Sequence, residues 1–313
     1  MDFNQKLKEG LESGIRSAKA IAPIKPGQFS RIIFCGMGGS VMPAEAISML
    51  WLEDIAGYIN RTPYLPHWAS KEHLVVCTSW SGNTEETIAS YESAIEKNIK
   101  TIVITGGGRL AELAQKDGAT LILLPNPNLN PRNALGSMLA STLTLFSHSD
   151  IIESTFSSPL FSQENDSFGL GTDISKAIGT KTPIIYSSYS WRFLGLFWKK
   201  FLNENSKVHA FASFLPEAVH NEIAGVKEKD QKFFYLILED SEEETTDRLN
   251  LEKFYKFLKK YNTENTLIKI TGKTRLEKIL NQYILASTTS TQLAQQLGVD
   301  PNSTEVIEGF KKL

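Results

Sequence analysis

The sequence predicts an α/β protein made of two doubly wound, parallel-sheet domains with a C-terminal helical tail. Apolar runs of strand length alternate with helix-length amphipathic stretches through both halves of the chain. A polar stretch from Ser149 to Asp173, rich in Ser, Asp and Glu, reads as the crossing between them. A length of 313 residues with 41% hydrophobic content is enough for two cores.

The elements follow in order. An N-terminal amphipathic helix carries Phe3, Leu7, Leu11 and Ile15 on one face. The first half then reads as strand 31–35, helix 42–51, strand 74–78, helix 84–97, strand 100–105, helix 109–117, strand 120–124 and helix 133–147. The second reads as strand 183–187, helix 190–203, strand 207–212, helix 216–225, strand 233–238, helix 246–261, strand 266–270 and helix 274–297. The acidic insert Asp240-Ser241-Glu242-Glu243-Glu244 reads as a solvated helix start. In the tail, Val306, Ile307 and Phe310 keep an apolar spacing that predicts a helix docked on the body, carrying Lys311 or Lys312. The expected division is an N-terminal helix over 1–28, domains over 29–150 and 151–298, and a tail over 299–313.

Composition removes several classes of function. A formal net charge of -2 without a dense basic stripe argues against nucleic acid as a partner. The longest apolar runs are of strand length and the first helix has no signal-peptide core, so neither a membrane nor export is expected and the cytoplasm is the expected location. Cys35 and Cys77 each end a central strand, where small buried thiols are common, and no disulfide is expected.

Two strand-to-helix loops carry the first chemistry. Thr78-Ser79-Trp80-Ser81-Gly82-Asn83-Thr84 gathers hydroxyls and backbone N–H groups at the positive end of a helix dipole, which is a phosphate cradle. Asn83 is placed to cap that helix, with Glu86 completing the box. Upstream, Gly36-Met37-Gly38-Gly39-Ser40 opens a helix with Pro43 in its first turn. Val41 stands where the dinucleotide fingerprint needs a third glycine, and no P-loop lysine follows, so nucleotide binding is disfavoured. A similar loop, Tyr186-Ser187-Ser188-Tyr189-Ser190, lacks the glycine that lets a ligand approach the backbone and reads as structural.

Further residues supply acid–base chemistry. In Asn203-Glu204-Asn205-Ser206-Lys207, a carboxylate lies between two amides at an element boundary and is a candidate general base, against the alternative of a solvated helix-end glutamate. Glu217 and His220 share a helix face in the predicted 216–225 helix, which suits either a histidine oriented by a carboxylate and able to shuttle a proton or a helix-surface histidine with a capping glutamate. Glu-x-x-His also has metal-ligating spacing, but no second such motif exists and no metal site is expected. Arg132, where a loop enters a helix at the carboxyl edge of the sheet, can stabilise an oxyanion or form a structural ion pair.

Taken in order, these blocks resemble the bifunctional phosphoglucose/phosphomannose isomerase family, a branch of the sugar isomerase (SIS) domain proteins of flavodoxin-like topology. The matching segments are Gly36 to Ser40, Ser79 to Thr87, Pro131-Arg132, Asn203 to Lys207, Pro216-Glu217 to His220-Asn221, and Gly298-Val299-Asp300-Pro301 to Lys311. The resemblance implies an isomerase of hexose 6-phosphates that needs neither metal nor other cofactor. Gly38, Gly39, Ser40, Ser79, Ser81 and Thr84 would then hold the sugar phosphate and nearby hydroxyls. Glu204 would move the proton between C1 and C2, Arg132 would stabilise the enediolate, and His220 and Lys311 would assist ring opening and hydroxyl proton transfer, with Lys312 as the alternative to Lys311. Thr304 falls where glucose-only isomerases of the superfamily carry glutamine, and its smaller side chain would leave room for both epimers. The resemblance also implies a homodimer in which His220 comes from the partner subunit. A sugar-phosphate-binding regulator, or an isomerase for another sugar phosphate, are the alternatives weighed against it.

Overall fold

A computed structural model describes residues 3–125, 129–161 and 167–311. The chain divides into two compact units, Met1–Phe161 and Ser162–Leu313.

Unit 1 is built on a parallel sheet. Among the described residues it contains β1 (Arg31–Cys35), β2 (Gly57–Asn60), β3 (His73–Ser79), β4 (Lys100–Thr105) and β5 (Thr120–Leu123), in the order β2-β1-β3-β4-β5. Strand residues alternate between two apolar layers, which is how a parallel sheet buries both faces. Ile32, Phe34, Leu74, Val76, Ile102 and Ile104 meet Ala18 of α1 (Phe3–Ala18) and Met138 and Leu145 of α5 (Leu135–Leu145). Ile33, Cys35, Val75, Cys77 and Val103 meet Ile88, Tyr91 and Ala94 of α3 (Glu85–Glu96) and Leu110 and Ala114 of α4 (Gly108–Lys116). The N-terminal helix belongs to this unit, because its buried Leu7, Leu11 and Ile15 lie on α5. Both cysteines are free and buried.

The sequence reading missed β2. Four residues containing a glycine and an asparagine carry little strand signal, and pairing with β1 over Ile32 to Cys35 is what makes the segment a strand. The polar stretch read as a crossing holds helices α6 (Ser149–Thr155) and α7 (Ser167–Ile178). Ile152 and Ile174 are buried there, so a small number of apolar residues outweighs the polar composition.

Unit 2 has a four-stranded parallel sheet among the described residues, of β6 (Thr182–Ser188), β7 (Phe211–Leu215), β8 (Phe233–Glu239) and β9 (Asn265–Lys269), in the order β7-β6-β8-β9. Tyr186, Tyr235 and Ile237 face Leu251, Phe254 and Leu258 of α9 (Thr245–Lys260). Beside β6 and β7 lies α8 (Arg192–Ser206), which packs on α10 (Arg275–Leu297). The Phe201 and Tyr283 rings meet edge-on at 5.2 Å, and Trp198 donates its indole N–H to Gln282 at 3.1 Å. The tail forms α11 (Glu305–Phe310), but Val306 and Phe310 are 86% and 76% exposed. Apolar docking of the tail is therefore not how it is held. No helix among the described residues is long and apolar enough to cross a membrane.

Close approach of α1 to α5 depends on Gly14, where a Cβ would lie 2.3 Å from the Ser137 carbonyl oxygen and 2.8 Å from the Ala140 Cβ. Gly14→Ala is expected to destabilise the protein by about 1–3 kcal/mol, the usual cost of overpacking. Urea unfolding measures this, and an unchanged midpoint would contradict the helix packing described.

Candidate active site

In unit 1 the chain order reverses between β1 and β3, and the loops leaving these two strands meet at the carboxyl edge, where open α/β sheets bind ligands. After β1 the backbone passes through Gly38, at φ +52°, into a short 3-10 turn over Gly38–Val41 and then α2 (Met42–Leu50). The backbone N–H of Trp80 donates to Ser40 Oγ at 2.9 Å and joins this loop to the next. Ser79 and Thr84 share a hydroxyl hydrogen bond of 3.0 Å, and Gly82 donates its N–H to Ser79 Oγ at 3.1 Å. Ser79 and Ser40 are buried braces, whereas Ser81 and Gly38 are exposed at the rim.

The Pro131–Asn133 turn closes onto this cradle. A Cβ on Gly39 would lie 2.4 Å from the Arg132 backbone nitrogen, so the missing side chain is what admits that turn. Trp80 fixes the same segment by donating its indole N–H to the Leu129 carbonyl at 2.9 Å. Arg132 is thus brought beside the two glycine and serine loops, only 1% exposed.

Asn83 does not cap α3. The helix starts at Glu85, Thr84 is the N-cap residue, and the Asn83 side-chain oxygen accepts the Arg109 N–H at 3.0 Å instead. A third loop, after β4, takes that asparagine and buttresses the cradle. Gly82, at φ +69°, sits so close to it that a Cβ would lie 1.7 Å from the Gly107 carbonyl oxygen. Sequence reasoning overlooked this loop, although the run Gly106-Gly107-Gly108 was a signal for close backbone approach.

Unit 2 holds the candidate base. The helix α8 runs to Ser206 and β7 begins only at Phe211, later than the sequence reading placed either boundary. Polar residues continue the helix because tertiary partners hold them. Asn205 donates to Ser290 Oγ at 2.9 Å, Ser206 donates to the Ser290 carbonyl at 2.7 Å, and the Asn203 side chain accepts the Ala210 N–H at 2.8 Å. Glu204, half-buried among these fixed neighbours, lines a cavity of about 420 Å³ together with Lys207, His209, Thr304 and Ile307. Of the residues assigned from the sequence, Glu204 and Thr304 are brought together.

His220 and Lys311 do not line that cavity. In place of the expected 216–225 helix there are two 3-10 turns, Glu217–His220 and Glu222–Gly225. Glu217 consequently accepts a hydrogen bond from Asn221 at 2.8 Å, and the exposed His220 is not oriented as the helical spacing implied. Glu222, unnoticed in the sequence, anchors the turns by accepting from Tyr186 Oη at 2.8 Å and Ser213 Oγ at 2.5 Å. Burial, with that carboxylate, holds the Tyr186 phenol protonated well above its usual range. Lys311 is exposed and pairs with Glu308 at 2.7 Å. Lys312 lies outside the described residues. Among the described residues, no three His, Cys, Asp or Glu side chains are grouped to hold a metal ion.

The acidic insert is not simply solvated. At the chain reversal between β6 and β8, Asp240 is 3% exposed and accepts from Lys278 at 2.9 Å and from the Trp191 indole at 3.2 Å. Burial disfavours the Lys278 ammonium, but hydrogen bonds to Glu242 and Asp240 outweigh it and hold it above its usual pKa. Glu243 receives the Ser188 hydroxyl at 2.5 Å, so the serine loop of this unit binds the chain's own carboxyl group.

Comparison with known proteins gives four findings. The model of the bacterial phospho-glucose isomerase C-terminal SIS domain matches residues 170–313. A bifunctional phosphoglucose/phosphomannose isomerase of Aquifex aeolicus (strain VF5) is 32% identical, covering 94% of this chain and 92% of the relative. A D-glucosamine-6-phosphate 4-epimerase of Sulfolobus acidocaldarius is 30% identical, covering 98% and 95% respectively. Among solved structures, a hypothetical protein from Thermus thermophilus shares the fold, with a TM-score of 0.74 at 14% identity over 99% of this chain and 88% of that one.

Burial raises the Glu243 carboxyl to about 7, against the opposing Ser188 hydrogen bond and with help from Asp247 and Asp240. A carboxyl raised above its unfolded value favours folding while protonated, and that contribution is lost as pH rises from about 4.5 through 7. Scanning fluorimetry of Glu243→Gln should show a smaller fall in Tm between pH 5 and pH 8 than the parent shows. Equal pH dependence would place the carboxyl outside this balance.

Proposed function

This chain belongs to the bifunctional phosphoglucose/phosphomannose isomerase family, and on that basis we propose that it interconverts glucose 6-phosphate and mannose 6-phosphate with fructose 6-phosphate through a cis-enediol(ate). The observation that carries the reading to particular residues is the shared cavity of Glu204 and Thr304.

The chemistry assigns each unit a task. The hydroxyl and amide cradle of unit 1 grips the phosphate, far from the reacting carbons, so that binding energy is used to orient the sugar. Ser81 and the amides that open α3 meet the phosphate oxygens, with Ser40, Ser79, Thr84, Gly38 and Gly39 shaping the loops around them. Glu204 removes the C2 proton of either aldose and delivers it to C1. Both epimers give one enediolate, because C2 becomes planar, and Arg132 neutralises its developing charge. In the reverse direction the proton returns to either face of C2, which needs room opposite the base. Thr304, small and on the same cavity as Glu204, provides it. Hydrogen moves as a proton between adjacent carbons, and no cofactor enters the scheme.

His220 and Lys311 open the sugar ring and move hydroxyl protons. Both are exposed, and neither lines the Glu204 cavity. In the homodimer that the family resemblance implies, His220 is supplied by the partner subunit. The setting is cytoplasmic sugar-phosphate metabolism, in glycolysis and gluconeogenesis.

Glu204→Gln is expected to lower kcat on both aldose phosphates by about 10²–10⁴, with KM little changed, since positioned acid–base catalysis is worth that much. Coupled assays from each aldose to the ketose test this, and parental turnover in the variant would remove Glu204 as the base. Glucosamine 6-phosphate serves as the control substrate, given the 4-epimerase relative. Gly39→Ala should instead raise KM for all three phosphates by about tenfold or more, because the new methyl displaces the Arg132 turn from the cradle. An unchanged KM would argue that the phosphate is held elsewhere.

A further inference from the structure

The polar link that holds the tail runs through a residue to which the mechanism gives no part. Lys207 ends α8 in the left-handed region, at φ +57°. Its Nζ donates to two backbone carbonyls, those of Glu204 and Ser303, the second at 2.7 Å. The Glu204 carbonyl is one of the last four of its helix, which have no partner within the helix and carry partial negative charge, so an ammonium is favoured there. The Ser303 carbonyl immediately precedes Thr304. One cation thus joins the turn bearing the candidate base to the turn opposite it, and both turns line the cavity of about 420 Å³. The six-residue α11 that follows buries no side chain, so apolar packing does not duplicate this tie.

We propose that Lys207 is a positioning residue that sets the width of this cavity and, through it, the relative rates on the two C2-epimeric aldose phosphates. The inference rests on the isomerase reading above. Two substrates that differ only at C2 must present that carbon to the same carboxylate, so their different C2 hydroxyls are read by the wall facing it. Lys207 holds that wall, carrying Thr304, at a fixed distance from Glu204.

Lys207→Met separates this role from a general loss of structure. Methionine keeps an unbranched stem and tolerates the left-handed backbone no better and no worse than lysine, so what is lost is the ammonium charge and the hydrogen bonds it donates, among them those to Glu204 and Ser303. Amide exchange in the peptide 299–311 is expected to rise by about tenfold, and the ratio of mannose 6-phosphate to glucose 6-phosphate turnover to change by about threefold or more, while KM stays near the parental value. Lys207→Arg retains the donors and is expected to bring exchange and ratio to within about twofold of the parent. Parental exchange in Lys207→Met, or an unchanged epimer ratio despite faster exchange, overturns the proposal. A parent enzyme that turns over neither aldose rejects the isomerase reading instead, and the exchange measurement alone then tests whether Lys207 ties the tail.

Discussion

A parallel sheet buries both of its faces, so polar chemistry has to be placed at the strand ends, and everything else in this protein follows from that placement. In unit 1 the alternation of Ile32 and Phe34 with Ile33 and Cys35 commits both faces of β1 to helices. The loops after β1 and β3 are then left together at the carboxyl edge, and small residues let them approach. Gly39 admits the Arg132 turn, and Gly82 admits the loop after β4. The hydroxyl cradle is therefore a consequence of sheet topology completed by two missing side chains.

The two units treat equivalent positions differently. Each sheet reverses its strand order next to its first strand, and each carries a serine-bearing loop there. In unit 1, Ser40 and Ser79 accept backbone N–H groups and brace a surface free of acidic side chains in its own loops, apart from those that open α3. In unit 2, Ser188 meets Glu243, and Asp240 is neutralised by Lys278. A carboxyl group bound at that edge disfavours a second anion, so the second unit's serine loop is a poorer place for a phosphate than the first unit's.

Glu204 owes its position to its neighbours. Asn205 and Ser206 are tied to Ser290 on α10, and Asn203 to the loop before β7. A glutamate flanked by such contacts loses little freedom when it meets a substrate, and preorganisation of this kind is what a base needs. The tie from Lys207 to Ser303 extends the same order to the tail, whose own helix is too short to sustain itself.

Much of this was legible in the residue order. Strand β4 over 100–105 and the long helix near 275–297 carry periodicities strong enough to declare themselves. So do the two glycine and serine loops as breaks between a strand and a helix, because glycine and short hydroxyl side chains interrupt the apolar pattern on either side. Where side-chain partners lie far away in sequence, local pattern misleads. Asn203 to Ser206 look like a helix end but continue α8 on contacts to Ser290, and Asp240 and Glu243 look solvated but meet Lys278 and Ser188. His220 looks helical, yet Tyr186 and Ser213 draw Glu222 into 3-10 turns. The sequence by itself determined the parallel sheets apart from β2, most of their covering helices and the residue types of the loops, since these depend on hydrophobic period and residue type. Tertiary structure alone decided which polar side chains bind one another and which stay available, because a hydrogen bond between residues 96 positions apart leaves no trace in either neighbourhood.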